Sequence, residues 1–168
     1  MPVPIVTIVG TSDSGKTTLI EKIIPRLVTK GLRVGTIKHD VHGFEMDHEG
    51  KDSWRHKRAG ASTTVISSPL QVGMVKDVVR ELTLDQIAEL YLTDVDIIVV
   101  EGYKRQDKFK IEVHRKVQNR ELIAGDSQHL IAVATDEPLD VNVPCFDIDD
   151  AQGLADFIAS HFRLGENS

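Results

Sequence analysis

The sequence predicts an α/β fold: a mostly parallel central sheet with helices on both faces and an added antiparallel segment. Three observations carry this. The apolar, β-branched run Ile5–Val9 passes directly into the glycine-punctuated stretch GTSDSGKTT, residues 10–18, and then into apolar residues at helical spacing. Further apolar runs, RVGTIKH at 33–39, VDIIVV at 95–100 and HLIAVAT at 129–135, alternate with helical or polar segments. Two short β-rich runs, STTVISS and QVGMVK, flank Pro69 as the arms of a turn-linked pair would.

The elements follow in order. Ile5–Val9 has the composition of a buried parallel strand. Leu19, Ile20, Ile23, Ile24, Leu27 and Val28 form one helical face, which Gly31 ends, and Pro25 inside it should kink the helix. After the strand at 33–39 comes the polar stretch DVHGFEMDHEGKDS and a helix near 52–59 closed by Gly60. Leu84, Ile87, Ala88 and Tyr91 form a helix with Thr83 as N-cap. VDIIVVEG reads as a buried strand ending on an acid. KFKIEVHR alternates and reads as an exposed or edge strand. Its Phe109, Ile111 and Val113 share one face and invite pairing with a second copy of the chain. Asp149 or Asp150 caps a last helix with Leu154, Phe157, Ile158 and Phe162 facing inward.

Bulk properties narrow the class. At 168 residues one domain, 1–168, is expected. Twenty Lys and Arg against 26 Asp and Glu give a net charge of −6, which disfavours non-specific nucleic-acid binding. Cys145 is the one cysteine, so no intramolecular disulfide forms and a reducing cytoplasm is expected, with the thiol packed or half-buried. No apolar run reaches membrane-spanning length, and MPVPIV lacks the pattern of a signal peptide.

The spacing Gly-x4-Gly-Lys-Thr at 10–17 is the P-loop pattern. Gly10 and Gly15 let the chain curl so that N–H groups of Thr11, Ser12, Asp13 and Ser14 point inward. Lys16 supplies a mobile cation for β- and γ-phosphates and Thr17 a hydroxyl for Mg²⁺, while a helix starting at 15 or 16 adds its positive end at Thr18. The alternative, a Gly/Ser loop that happens to hold Lys-Thr, does not account for the strand before it and the helix after it.

Ligands of such sheets bind at the carboxyl ends of strands, which selects the remaining candidates. Glu101 ends VDIIVVE and is a second Mg²⁺ ligand, where Asp is usual; otherwise it is a solvated strand-end carboxylate. Asp40 follows IKH and can reach Mg²⁺ or orient a water, and Lys38 can meet phosphate. His39, His42 and His48 do not have the spacing of a closed zinc site. Asp136 in ATDEP can accept from a guanine N1–H and 2-amino group or simply shape the turn before Glu-Pro.

Together, GTSDSGKTTL, GTIKHDVHGFEMDHEGKDSWRHKRAGA and DIIVVEGYK resemble the MobB family of molybdopterin-guanine dinucleotide biosynthesis adaptors, over about residues 4–136. The resemblance implies GTP and Mg²⁺ as ligands, a homodimer, feeble GTPase activity, and assistance to the enzyme that joins GMP to molybdopterin. It leaves open whether molybdopterin touches this chain. By the same resemblance, Gly10–Thr18 holds the phosphates, Thr17 and Glu101 bind the metal, Asp40 and Gly50–Ser53 belong to a region near the nucleotide, and Asp136 sits where guanine recognition is expected; Lys16 and Asp40 are the candidates for catalytic roles. The fuller Asn-Lys-x-Asp pattern of GTPases is absent. The other reading is a small-molecule kinase or ATP-dependent ligase. Such an enzyme needs an arginine-bearing lid, and Arg55, Arg58, Arg105, Arg115 and Arg120 are scattered. The glycine loop itself contains no arginine, so slow hydrolysis awaiting a partner's cation is expected.

Overall fold

Four apolar residues and a threonine leave no face suited to solvent, and in the computed structural model, which describes residues 2–40 and 42–165, β1 (Ile5–Val9) is buried along its whole length, with the Thr7 hydroxyl donating to the Phe109 carbonyl at 3.1 Å. The chain then turns through the glycine loop into α1 (Lys16–Thr29). This helix presents Leu19, Ile20, Ile23 and Leu27 to the sheet. Burying side chains of this kind contributes about 1.5–3 kcal/mol each. Pro25 lies inside α1, which remains a helix through Thr29. Gly31, at φ 80°, closes α1: its N–H donates to the Val28 carbonyl at 2.9 Å and that of Leu32 to Leu27 at 3.3 Å. The paired bonds satisfy carbonyls that the helix end would strand.

By its contacts the chain divides into two units, residues 1–39 with 87–168, and residues 40–86. The first contains β1, α1, β2 (Val34–Lys38), β3 (Ile97–Glu101), β4 (Phe109–His114), a 3₁₀ turn (Lys116–Gln118), β5 (Leu130–Thr135), β6 (Cys145–Asp147) and α2 (Ala151–His161). Its six strands form a sheet in the order β2-β3-β1-β4-β5-β6, parallel at every pairing. One face carries Val6, Ile8, Val99, Ile111, Val113, Ala132 and Ala134 against α1 and α2. On the opposite face Val9, Leu130 and Val133 pack with Ala124 and the loop residues Leu122, Leu139, Val141 and Val143. At β2 that opposite face meets the segment before β3: a Cβ on Gly35 would lie 3.2 Å from both Leu92 and Val95. Asp150 caps α2, accepting from the Gly153 N–H at 2.8 Å.

The second unit holds α3 (Asp52–Arg58), the antiparallel pair β7 (Thr63–Ser67) and β8 (Val72–Lys76), and the start of α4 (Leu84–Tyr91), which continues into the first unit. Thr83 and Gln86 cap α4 reciprocally, at 3.2 and 3.0 Å.

Two expectations are corrected. The 109–114 strand is interior, paired to β1 on one side and β5 on the other. Its alternation of charged and apolar residues imitates a half-exposed strand, yet Lys110, Glu112 and His114 are all buried. Each has a partner: Lys110 Nζ donates to the Lys108 carbonyl at 3.0 Å, Glu112 accepts from the N–H groups of Ile123 and Ala124 at 2.8 Å, and His114 Nε2 meets Glu137 Oε1 at 2.9 Å. Burial raises the Glu112 carboxyl above its ordinary range, with the two N–H groups opposing. Being interior, this strand offers no edge for a second copy. Cys145, expected to be packed or half-buried, is exposed on the short terminal strand of the sheet. Among the described residues no helix is long and apolar enough to cross a membrane.

Candidate functional site

The carboxyl ends of β1, β3 and β4 bring together what the chain order keeps far apart. The loop from Gly10 to Gly15 leaves β1 through backbone angles that only glycine tolerates well: Gly10 has φ 153° and Gly15 φ 96°. At Gly10 space matters as much as angle. A Cβ there would lie 2.6 Å from the Val113 carbonyl oxygen and 2.7 Å from Ser14 Oγ. Asp13 also takes a left-handed angle, at φ 60°. Gly15 is the N-cap of α1, and neither a capping side chain nor an acidic first-turn residue meets the N–H groups of that helix end. Ser14 is fully buried, and its Oγ has no hydrogen-bond partner among the described residues.

Lys16 folds back over this loop. Its Nζ donates to the Thr11 carbonyl at 2.6 Å and to the Gly10 carbonyl at 3.3 Å. Burial lowers its pKa, while Glu101 and Asp13 act in the opposite direction. The Thr17 hydroxyl lies 2.9 and 3.0 Å from the two oxygens of Glu101. Lys38, at the end of β2, places Nζ 3.8 Å from the same carboxylate. Gly102, at φ 99°, lets the chain turn after Glu101, and its N–H donates to the Ile8 carbonyl at 3.1 Å. The His39 ring stacks on Tyr103 with centroids 4.2 Å apart. Lys16, Thr17, Glu101 and Lys38 therefore converge as expected. Two cations, a hydroxyl and a carboxylate beside a glycine loop form a donor set suited to phosphate oxygens and a hard divalent cation.

Asp136 stands at the end of β5 with its carboxylate engaged. Oδ1 accepts from the Lys116 N–H at 2.7 Å, and Oδ2 lies 3.5 Å from Arg115 Nη1. These contacts, the backbone N–H foremost, hold its carboxyl below the ordinary value. Asp40 is the first residue of the second unit, and its Oδ1 accepts from the His42 N–H at 2.9 Å. Thr18 is exposed in the first turn of α1. Within the second unit a separate cavity of about 530 Å³ is lined by Phe44, Met46, Trp54, Ile66 and Met74 together with polar side chains.

Arg115 and Gln118 were not among the site residues expected from the sequence. Arg115 Nε lies 3.4 Å from the Ser14 carbonyl, and Gln118 Nε2 donates to the Ser12 carbonyl at 2.9 Å. An arginine therefore does attend the glycine loop, although none lies within it. The signal was available in HRKVQN: it follows a strand that neighbours β1, so its first residues emerge at the same sheet edge.

Comparison with known proteins identifies the family of this chain. The family described as molybdopterin guanine dinucleotide synthesis protein B, MobB, matches residues 5–136. The molybdopterin-guanine dinucleotide biosynthesis adapter protein of Haemophilus influenzae is 38% identical over 165 residues, covering 96% of this chain and 92% of its own length. The Escherichia coli adapter protein is 36% identical over 162 residues, covering 93% of this chain and 91% of its own. Among solved structures, a molybdopterin-guanine biosynthesis protein B superposes with TM-score 0.73 at 35% identity, over 95% of this chain and 99% of that one. Bacillus subtilis MobB superposes with TM-score 0.76 at 30% identity, over 94% and 96% of the two chains. A single match thus spans the glycine loop, the Glu101 strand and Asp136, and this chain belongs to the MobB family.

Proposed function

We propose that this chain is a GTP-binding adapter of molybdopterin-guanine dinucleotide biosynthesis, working with the enzyme that attaches GMP to molybdopterin. The observation that supports it best is the convergence of Lys16, Thr17 and Glu101 on the Gly10–Thr18 loop, in a chain related to adapters named for this synthesis. Lys16 Nζ is already desolvated and rests on loop carbonyls, so phosphate oxygens are stronger acceptors waiting for the same donor. Thr17 Oγ1 and a Glu101 carboxylate oxygen are the pair that would hold Mg²⁺, which when bound neutralises charge between phosphate oxygens. Asp136 is the acid for the guanine edge. Its Oδ1 is tied to the Lys116 backbone, and Oδ2 meets Arg115 at the longer distance of 3.5 Å, so base recognition requires Arg115 to yield that oxygen.

Hydrolysis by the isolated chain is slow in this reading. Arg115 spends its guanidinium on the Ser14 carbonyl and Asp136, and Asp40, the candidate for orienting water, supplies no cation. The output is then a contact with the GMP-transferring enzyme, in the cytoplasm, with molybdopterin reaching the complex through either protein. A homodimer belongs to the same reading, and the exposed β7–β8 pair replaces the interior 109–114 strand as its surface.

Calorimetric titration with GTP and ATP, with and without Mg²⁺, is the direct test. GTP binding strengthened by Mg²⁺, together with slow phosphate release that rises when the GMP-transferring enzyme is added, is the expected result. Failure to bind any nucleotide, or fast transfer of phosphate to a small-molecule acceptor, would sink the proposal.

A further inference from the structure

The turn that follows β4 touches the glycine loop and the end of β5 at once. Gln118 uses both ends of its amide on the loop: Nε2 donates to the Ser12 carbonyl at 2.9 Å, and Oε1 accepts from the Thr11 hydroxyl. Arg115 lies alongside, with Nε 3.4 Å from the Ser14 carbonyl and Nη2 3.5 Å from where a Cβ on Gly15 would stand. The Lys116 N–H fixes the other side of the turn to Asp136. The turn is itself closed by the Gln118 N–H to the Arg115 carbonyl at 3.0 Å and ends at Asn119 in a left-handed conformation, φ 44°.

These contacts orient the peptide units of the loop. In a trans peptide the C=O of one residue and the N–H of the next point in opposite directions. The Ser12 and Ser14 carbonyls are drawn toward the 115–118 turn, so the N–H groups of Asp13 and Gly15 are directed away from it. Within the loop, Lys16 holds the carbonyls of Gly10 and Thr11, and the turn holds those of Ser12 and Ser14. A cradle whose donors are aimed before the anion arrives does not lose binding energy to ordering them.

We propose that Arg115 and Gln118 form an outer brace that preorganises the glycine loop for a nucleotide's phosphates and couples it mechanically to Asp136. The inference rests on the nucleotide reading above and assigns both residues as positioning residues. Gln118 is the stronger anchor, because its contact to Ser12 is of full hydrogen-bond length and both amide ends are engaged. Arg115 has five donors, and its contacts to the Ser14 carbonyl and Asp136 are long, at 3.4 and 3.5 Å, so it is the adaptable member.

The experiment compares the full chain with Gln118→Met, which keeps length and removes both polar contacts, and with Arg115→Ala. In the nucleotide-free state, ¹⁵N relaxation of the 11–15 amides should show increased fast motion in Gln118→Met, at an unchanged Tm. Calorimetry should show affinity for GTP, GDP and ATP falling together by about tenfold, since the brace acts on the phosphate side. Arg115→Ala should show a smaller common loss together with a changed ratio of GTP to ATP affinity. Loop amides as rigid as the parent's, or a Gln118→Met loss confined to one base, would overturn the brace. If the parent binds none of the three nucleotides, the nucleotide reading fails and the phosphate role with it. A loosened loop in Gln118→Met would then still establish the brace as a purely structural one.

Discussion

The Thr17 hydroxyl lies 2.9 and 3.0 Å from the two carboxylate oxygens of Glu101, a residue 84 positions away in sequence. The contact links the first turn of α1 to the end of β3 and selects Glu101 as the acid that can share a cation with Thr17. Glu101→Gln keeps the shape and removes the charge. It should reduce the Mg²⁺ enhancement of GTP binding by roughly tenfold to a hundredfold, a charged contact of about 1.5–3 kcal/mol, and leave metal-free binding close to the parent's. Isothermal titration with and without Mg²⁺ checks this, and equal metal dependence in both proteins would return Glu101 to an ordinary strand-end carboxylate.

Lys16→Ala should weaken GTP by roughly tenfold to a hundredfold while leaving the fold intact. The side chain is only partly buried, and its two contacts are to loop carbonyls rather than to the core. Affinity by calorimetry and Tm in the absence of nucleotide are the paired measurements. A variant that bound like the parent would remove Lys16 from the site.

Gly10→Ala should destabilise the chain by about 1–3 kcal/mol, because a left-handed backbone angle and a backbone clash coincide. The added Cβ would stand 2.6 Å from the Val113 carbonyl, which belongs to a buried strand and cannot swing aside. Urea unfolding with unchanged m-value gives the number. By contrast, Gly43→Ala should meet mainly the backbone penalty at φ 84°, since nothing among the described residues stands within 4 Å of its Cβ position.

Acid sensitivity should trace in part to Asp96. The Arg33 side-chain hydrogen bond, then the Arg33 N–H, lower its pKa from 3.8 to about 2. A carboxyl with a depressed folded pKa contributes stability that is present above about pH 4 and is lost as pH falls toward 2. Asp96→Asn should therefore melt below the parent at neutral pH, with the gap closing between about pH 4 and pH 2. The pair is largely exposed, so the neutral-pH gap should be small, about 1–3 °C. A gap that stayed constant with pH would show that the pair is not the source.

Val65 and Met74 face one another across the β7–β8 pair and are 55% and 40% exposed. If this two-stranded sheet carries the homodimer, Val65→Lys with Met74→Lys should convert a dimeric mass to a monomeric one in light scattering, with secondary structure unchanged. A parent already monomeric at micromolar concentration would remove the homodimer from the proposal.

Much of the first unit was legible because local chemistry and tertiary environment agree there. Ile5–Val9 is β-branched throughout and apolar but for Thr7, which suits a buried parallel strand, and the loop after it repeats a glycine spacing that few other structures need. Thr83 with Gln86, Gly31 and Asp150 act as helix boundaries through hydrogen bonds reaching no more than a few residues, which is the range that a sequence displays. The three-residue strand Cys145–Asp147 was not legible: it is too short to show a period, and its exposed Cys145 and Asp147 give it no apolar run.

What the sequence by itself determined is the identity of the parts: a strand, a glycine loop, a lysine and a threonine at one spacing, and acids at strand ends. Tertiary structure alone decided which parts meet. Strand order placed 109–114 beside β1 instead of at an edge, and so delivered Arg115 and Gln118 to the loop and buried Lys110 and Glu112 against backbone partners and His114 against the Glu137 carboxylate. The reason is physical. Periodicity reports whether a strand has two kinds of face, but a face of charged residues reads the same whether water or buried backbone groups satisfy it. Only the three-dimensional arrangement of the loops 102–108, 115–128 and 136–144 says which of the two it is.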